Sequence, residues 1–510
     1  MKIQSYLKFF TFENCLQLAV LSIPVILITG SFLPDLFLSL SALSFVIYLV
    51  LRKELNFLNH KVFYIFLIFF LILVISSLLS DYSRKSLITS IGYIRFGIFI
   101  FVVSFLINEK ENFIKKLNFV LITILLILFF DSIFQKLTGL NIFGTAAPYG
   151  RITSLFGDDI KLGSYVARIA PLLITLLVYL KFNRGTIFFI FLISLFLTFI
   201  SGQRTSFFMM LMFFTGYLML SSISLKLKFL YFIAPIFFIF VLLLNQETRD
   251  RILTSTLNQV NIINEKPFYK TVNRENGALV VLHRDSTILP RIYHMYFETA
   301  VKIFKDNILF GSGPRTYPFK SKEEQYYTVS DHEGWKDYVK KHNEKIIIKL
   351  FEIHKDQIKK ISKYEKYQEL KENISLIKDK EYIDWLKGYG VDHIDFNERV
   401  KDKEWLKGWG YLDKELKGFT NISGANNHPH NTYLQLLCET GLLGLLFIII
   451  LWIFCFFKLF TDLEFYYKCI LLSLIINLFP FMFSGNFFNG WLSILYFYPL
   501  GFLLKEKINH

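Results

Sequence analysis

Long apolar runs recur along this chain and limit what it can fold into. A helix that crosses a bilayer needs about 20 mostly apolar residues, because the hydrocarbon core is about 30 Å thick. Runs of about that length recur over most of the 510 residues, and only 19% of the residues are charged. A soluble domain usually has about a quarter of its residues charged. The sequence therefore predicts an all-α polytopic membrane protein.

The apolar runs predict about twelve transmembrane helices. Nine precede a long polar region and three follow it. We therefore divide the chain into helices 1–9 within residues 1–245, a large loop at 246–432, and helices 10–12 within 433–510. The predicted spans lie near 15–32, 36–51, 62–79, 87–107, 113–134, 163–180, 186–200, 205–221, 229–244, 433–457, 466–483 and 488–504.

The distribution of lysine and arginine predicts the topology. These residues are enriched in the short loops on the cytoplasmic side of a membrane protein. If the N-terminus is cytoplasmic, the loops on its side hold most of them, for example Arg52, Lys53, Lys115 and Lys116. Both termini are then expected inside and the large loop outside. The net charge of +15 therefore mostly reflects topology. The lysine and arginine residues are dispersed among the loops, which argues against a nucleic-acid partner.

The large loop divides into two parts by composition. Between Arg291 and Leu309, apolar residues recur at helical spacing, Pro290 suits a helix start, and the following Gly-Ser-Gly-Pro predicts a turn. The Lys/Glu/Tyr-rich insert at 321–417 is typical of amphipathic helices. It is either a small helical cap or a surface that contacts a partner or glycan. The loop contains no cysteine, which excludes a disulfide framework there.

Several arginines and one histidine are candidates for chemistry on the outer side. They are Arg204, Arg291 (or its neighbour Arg284), Arg151 and His430. The planar guanidinium binds phosphate oxygens through two parallel hydrogen bonds. A neutral histidine accepts a proton from a hydroxyl at neutral pH. This combination favours a phosphate-linked donor and a hydroxyl acceptor, and glycosyl transfer from a lipid diphosphate is one such reaction.

His430 precedes a predicted span directly. Asn431 or Thr432 is a plausible N-cap, which would fix His430 at a rigid helix entrance. Gly441 and Gly444 are expected to allow close helix approach deeper in the span. The alternative for any such histidine is a simple interfacial role.

The sequence predicts no catalytic metal. Asp158 and Asp159 are the nearest carboxylate pair before the large loop, whereas hard divalent cations take several oxygen ligands. His428 and His430 lack a convincing third ligand for zinc, and His428 is assigned to the loop.

Charged residues near membrane depth usually face a polar cavity or pair with one another, because burying a charge in hydrocarbon is costly. Arg95, Asp131, Arg168 and Arg204 are in this position. We expect Arg95 and Asp131 to form a buried pair that fixes helix packing.

The segment "HNTYLQLLCETGLLG" resembles the C-terminal signature of the O-antigen ligase and polymerase superfamily. His430 and Asn431 are followed, after nine residues, by Gly441 and Gly444. Three further segments resemble superfamily segments in the same order, namely "TSLFGDDIKLGSYVARIAPLL", "SGQRTSFFMMLMFF" and "RIYHMYFETAVKIFKDNILFGSGPRTYPF".

This resemblance covers 151–319 and 428–446 by motif and the whole chain by topology. It implies a bacterial inner-membrane glycosyltransferase of the GT-C type, with cytoplasmic termini and a periplasmic loop. Such ligases move a glycan from undecaprenyl diphosphate to a sugar hydroxyl of lipid A–core, without a metal or other cofactor. His430 matches the essential histidine, a base for the acceptor hydroxyl. Arg204 and Arg291 match the arginines that bind the donor diphosphate, with Arg284 as the alternative.

The resemblance leaves other activities open. A polymerase that joins lipid-linked repeat units shares the same chemistry, as does a protein O-oligosaccharyltransferase. A lipid-linked glycan transporter is less favoured, because such proteins usually show repeated halves and none is visible. The insert at 321–417 departs from the superfamily pattern and leaves the acceptor open.

Overall fold

Apolar helices account for most of the structure, a computed structural model. It describes residues 11–147, 151–229, 231–233, 270–273, 279–282, 291–326 and 426–504. In this part of the chain, seven helices are long and apolar enough to cross a membrane. The predicted helical class is confirmed, and these helices are of the kind expected in a membrane protein.

The described helices follow the predicted spans closely. A helix lies at each of them except the ninth, whose window falls almost wholly outside the described residues. The first eight are α1 (Phe12–Ile26), α2 (Phe32–Arg52), α3 (Lys61–Leu78), α4 (Ser83–Glu109), α5 (Phe113–Thr138), α6 (Leu162–Tyr179), α7 (Arg184–Ile200) and α8 (Arg204–Leu220). After strands β1 (Lys270–Asn273) and β2 (Leu279–Leu282) come α9 (Arg291–Asp306), α10 (Tyr317–Lys320), α11 (Thr432–Lys458), α12 (Phe465–Asn477) and α13 (Gly490–Phe497), which a 3₁₀-helix (Tyr498–Leu504) continues.

Asparagine side chains begin several of these helices. Asn183, Asn431 and Asn489 each precede a helix and accept hydrogen bonds from amides of its first turn. The first four amides of a helix have no partner within the helix, so an asparagine oxygen there stabilises the start. The Asn431 cap confirms the helix start expected from the sequence.

The direction of α12 fixes which helix ends lie together. Tyr217, near the end of α8, has its ring centroid 5.2 Å from that of Phe465 at the start of α12. Tyr179, the last residue of α6, lies 5.2 Å from Tyr466 by the same measure. Since α6 and α8 both pack along α12, they run antiparallel to it. The starts of α6 and α8 therefore lie at the same end as the end of α12, which we call the histidine end.

The chain forms two compact units. The first comprises Met1–Asn258, Ile303–Tyr317 and Asn427–His510, and the second comprises Gln259–Lys302 and Pro318–Asn426. Residues Ile303–Tyr317, which the sequence places within the large loop, therefore belong to the same unit as the apolar helices.

Two features of the loop region are described. Helix α9 spans Arg291–Asp306, as the apolar spacing predicts, and buries Tyr296 and Ala300. Strands β1 and β2 form an antiparallel hairpin that the sequence did not predict, although Asn276–Gly277 between them is a dipeptide typical of hairpin turns. The insert at 321–417 lies outside the described residues beyond Tyr326.

The predicted pair of Arg95 with Asp131 is wrong. Arg95 instead donates to both carboxylate oxygens of Asp35, at 2.7 and 2.9 Å, because α4 packs against α2. Asp131 accepts hydrogen bonds from the amide of Ile142 and the hydroxyl of Ser154, in the connection that follows its own helix. Charge at membrane depth indicates a need for partners, but not which partner the fold supplies.

Candidate active site

Helix α11 is broken at Gly441. This residue has φ 65° and ψ −164°, a conformation that essentially only glycine adopts. The part after the break, residues 442–458, is about 26 Å long at about 1.5 Å per residue. That length is close to the roughly 30 Å of a bilayer's hydrocarbon core. The break therefore separates an apolar membrane-length helix from a short leading helix, residues 432–440.

A separate segment, residues 308–317, fills this break, and we call it the docked segment. A break in a membrane helix leaves amides and carbonyls that must find partners within the protein. The docked segment supplies them through four backbone hydrogen bonds. These run from Ser312 N to Cys438 O and from Gly313 N to Glu439 O, both 2.8 Å, and from Leu442 N to Ile308 O and Leu443 N to Leu309 O, at 2.8 and 3.3 Å.

Glycine is required on both sides of this contact. A Cβ on Gly311 would lie 2.5 Å from the nitrogens of Thr440 and Gly441, and one on Gly441 would lie 2.5 Å from the nitrogen of Phe310. The sequence predicts that Gly441 admits a neighbouring helix. In the structure it instead interrupts its own helix and admits the docked segment. The space beside Gly444 is taken by Thr440, one turn earlier in α11.

Glu439, in the last turn before the break, holds the far end of the docked segment. Its side chain is fully buried. One carboxylate oxygen accepts from the amide of Tyr317 at 2.8 Å and the other from Nε2 of Gln435 at 2.9 Å, and the amide of Arg315 also donates to the carboxylate. Glu439 is not among the residues predicted from the sequence, although a lone glutamate in an apolar run is itself a signal of a buried polar partner.

His428 and His430 lie together in front of α11. Their ring centroids are 4.1 Å apart. The backbone carbonyl of His430 accepts from the amide of Ser484 at 2.9 Å, and Nε2 of His428 lies 3.2 Å from the Ser484 carbonyl oxygen. The loop between α12 and α13 thus holds both histidines from one side.

Asn431 fixes the helix entrance beside His430. Its side-chain oxygen accepts from the amides of Tyr433 and Leu434, and its nitrogen donates to the carbonyl of Pro480 at 2.8 Å. The one side chain therefore joins the start of α11 to the loop that follows α12.

Burial favours the neutral form of both histidines. It lowers the pKa of His430 below its ordinary value. The pKa of His428 falls to about 4, through burial and the nearby His430. Neutral His428 donates its Nε2 hydrogen to the Ser484 carbonyl, because a carbonyl only accepts. Neutral His430 is in the protonation state that a general base needs at neutral pH.

A chain of polar contacts joins Glu439 to the loop that holds the histidines. Nε2 of Gln435 bonds to both Glu439 and the Asn486 oxygen, each at 2.9 Å. The Gln435 oxygen accepts from the amide of Phe487 at 2.9 Å. Ser484, in the same loop as Asn486 and Phe487, contacts both histidines. Hydrogen bonds through Glu439, Gln435 and this loop therefore connect the docked segment to the histidines.

The structure places Arg204 and Arg151 at the histidine end. Arg204 is the first residue of α8, and the turn before it packs on the start of α6, where Gln203 donates to the carbonyl of Ile160. Arg151 lies in the connection between α5 and α6, just before a segment whose amides donate to Gln135. Both arginines are half-buried.

The other predicted arginines lie in the loop region. Arg291 is the first residue of α9 and belongs to the second compact unit. Arg284 lies outside the described residues.

The structure also describes two arginines outside the set predicted to bind the diphosphate. Arg315, in the docked segment, is exposed and has φ 62°. Arg168 in α6 is buried; it donates to Ser164 and lies over the ring of Tyr496. Among the described residues, Arg168 forms no ion pair with a carboxylate.

Within the described ranges, no three His, Cys, Asp or Glu side chains lie together as a metal site would require. Comparisons of the chain with protein-family models, with curated proteins and with solved structures find no match.

Proposed function

We propose that this chain is a membrane glycosyltransferase of the O-antigen ligase type. It transfers a glycan from undecaprenyl diphosphate to a sugar hydroxyl of lipid A–core, in the inner membrane of a bacterium. In this proposal about twelve helices cross the bilayer, the termini are cytoplasmic and the large loop is periplasmic. The proposal rests on the motif resemblance and on the geometry of the histidine end.

One observation carries the proposal. A half-buried His430, whose pKa is lowered by its burial, stands at a capped helix entrance, at the same end of the bundle as Arg204 and Arg151. This arrangement places a base and two arginines at one end of the bundle.

The chemistry follows from those groups. His430 takes the proton of the acceptor hydroxyl as its oxygen forms a bond to the anomeric carbon of the donor sugar. The bond from that carbon to the diphosphate oxygen breaks, and its electron pair leaves with the diphosphate. Arg204 stabilises the charge that develops there, a role that the resemblance also gives to Arg291. The proton on His430 then passes to solvent, which restores the base.

The position suits an amphipathic donor. The lipid tail of undecaprenyl diphosphate needs hydrocarbon and its diphosphate needs water or cations. The break at Gly441 divides a membrane-length apolar helix from the short helix that His430 precedes. A site at the start of this short helix would lie at the boundary between hydrocarbon and water, where such a donor is anchored.

Deletion of the gene, followed by gel analysis of lipopolysaccharide, tests the proposal. A ligase leaves no long-chain lipopolysaccharide while lipid-linked polymer accumulates. A core that carries a single repeat unit would identify a polymerase instead. Unchanged lipopolysaccharide would contradict both.

The proposal predicts where the acid limb of the pH profile lies. Because burial lowers the pKa of His430, the base stays unprotonated to a lower pH than an exposed histidine, whose pKa is about 6.5. The logarithm of kcat/KM plotted against pH should therefore have its acid midpoint below about 6.5. An acid midpoint above that value would contradict His430 as a base whose pKa is lowered by burial.

Replacing Arg204 by lysine should lower kcat/KM by roughly 10- to 100-fold, because a point charge does not replace a two-point contact with phosphate. Arg184 provides the control. It is the first residue of α7, as Arg204 is of α8, but α7 begins at the opposite end of the bundle. Arg184→Lys should leave kcat/KM unchanged, and equal activity of both variants would assign Arg204 a structural role.

A further inference from the structure

Arg315 stands out from the segment that carries it. Residues 311–314 and 316–317 are all buried, whereas Arg315 between them is exposed. The second half of the docked segment, residues 311–317, is therefore buried except at Arg315, which presents a cation at the surface.

The backbone at Arg315 is held in an unfavourable conformation. Its φ of 62° lies in the left-handed region, which costs a residue with a Cβ about 1–2 kcal/mol. The buried carboxylate of Glu439 keeps it there, because it binds the amides of both Arg315 and Tyr317. Strain of this kind persists only where surrounding contacts impose it, and it concentrates at ligand-binding sites.

The same carboxylate relates Arg315 to the histidines. Glu439 lies nine residues after His430 in the sequence, which corresponds to roughly 14 Å along a helix. Gln435 and the loop at Ser484–Phe487 connect the two by hydrogen bonds. The guanidinium of Arg315 is thus presented from the same rigid support as the imidazole of His430.

We propose that Arg315 is a further phosphate-binding residue of the donor site, and that Glu439 is the positioning residue that aims it. This inference rests on the proposed function and adds a contact to the donor diphosphate. An arginine that merely meets lipid headgroups needs neither a fixed backbone nor a buried carboxylate, since a long side chain reaches the interface from a relaxed helix.

Glycine at position 315 gives the sharpest test. Arg315→Gly removes the guanidinium and relieves the strain, because glycine adopts a positive φ at little cost. Lys53→Gly is its matched control, because Lys53 is also an exposed cation with φ 58°, at the end of α2. Neither substitution is expected to lower the thermal stability of the folded protein.

The measurement is binding of undecaprenyl diphosphate to the full-length protein in phosphatidylcholine nanodiscs. Wild type and Lys53→Gly should bind equally, and Arg315→Gly about tenfold or more weakly, the effect of a lost charged hydrogen bond. Glu439→Gln should weaken binding in the wild-type background and have no further effect in Arg315→Gly. An additive effect would give Glu439 a role apart from Arg315.

The outcomes separate the two proposals. If wild type binds the probe and Arg315→Gly binds it equally well, the Arg315 assignment is overturned and the proposed function stands. If wild type does not bind the probe at all, the proposed function itself fails. If phosphatidylglycerol displaces the probe from wild type but not from Arg315→Gly, Arg315 binds lipid headgroups and the donor assignment is overturned.

Discussion

Replacing His430 by alanine should abolish glycan transfer, with kcat lowered by about a hundredfold to ten-thousandfold, the range for loss of a general base. Without the imidazole, the acceptor hydroxyl must lose its proton to water while the sugar is transferred. The side chain lies before α11 and outside its hydrogen-bonded helix. The cap and the Ser484 contact use Asn431 and the His430 backbone, so the variant should still insert and bind undecaprenyl diphosphate.

His428→Ala is the control at the same place. It removes the neighbouring ring and its contact to Ser484, a loss of about 1 kcal/mol for one hydrogen bond. Transfer by this variant should fall by no more than about tenfold. If the two alanine variants lose activity equally, or if His430→Ala makes near-normal product, His430 is not the base.

Gly441→Ala should cause a large loss of structure, because the added methyl group meets backbone atoms. A side chain there is strained at φ 65°, and the added Cβ would meet the backbone of the docked segment at Phe310 N, 2.5 Å away. Backbone atoms on both sides cannot rotate away, so the docked segment must leave the break. The four hydrogen bonds that fill the break are then lost, at about 1 kcal/mol each or more.

Gly144→Ala separates strain from collision. Gly144 also has a positive φ, of 79°, but a Cβ there would meet nothing within 4 Å. The thermal midpoint of the Gly144→Ala variant in detergent should fall only slightly, because the left-handed conformation costs alanine about 1–2 kcal/mol of folding free energy. That of Gly441→Ala should fall much further, with donor binding lost. Equal, small shifts in both variants would contradict docking of residues 308–317 at Gly441.

Local features of the fold were predictable from the sequence. The spans follow from runs of apolar residues, and the start of α11 follows from an asparagine before such a run, because both depend on neighbours in the chain. The span predicted at 466–483 is too long at its end: the helix there, α12, ends at Asn477, three residues before Pro480. Proline prevents the residue before it from continuing a helix.

The break in α11 was not predictable in the same way. The run from Leu442 onward is apolar, and an isolated glycine within a helical pattern is usually tolerated. The glycine interrupts this helix because another segment occupies the gap. The hydrogen bond from the Tyr317 amide to Glu439 joins residues 122 positions apart. No local pattern predicts which segment docks there, and the mistaken Arg95–Asp131 pair failed for that reason.

The residues of the candidate site also differ in whether local sequence predicts them. His430 was identified because its helix entrance and the glycine spacing are local features. Arg315 and Glu439 were missed, because the first is one arginine in a turn and the second one glutamate in a span. The contacts on which their proposed roles depend form only when the turn lies against the span.

Transfer by the purified protein tests the central claim most directly. Full-length wild type and His430→Ala are reconstituted in liposomes with an undecaprenyl-diphosphate-linked glycan and a lipid A–core acceptor, and released undecaprenyl diphosphate is measured together with glycosylated core. We predict that wild type forms the two products in equal amounts, only when the acceptor is present, and that His430→Ala forms them about a hundredfold or more slowly. Absence of both products with wild type, or equal formation by His430→Ala, would contradict the account.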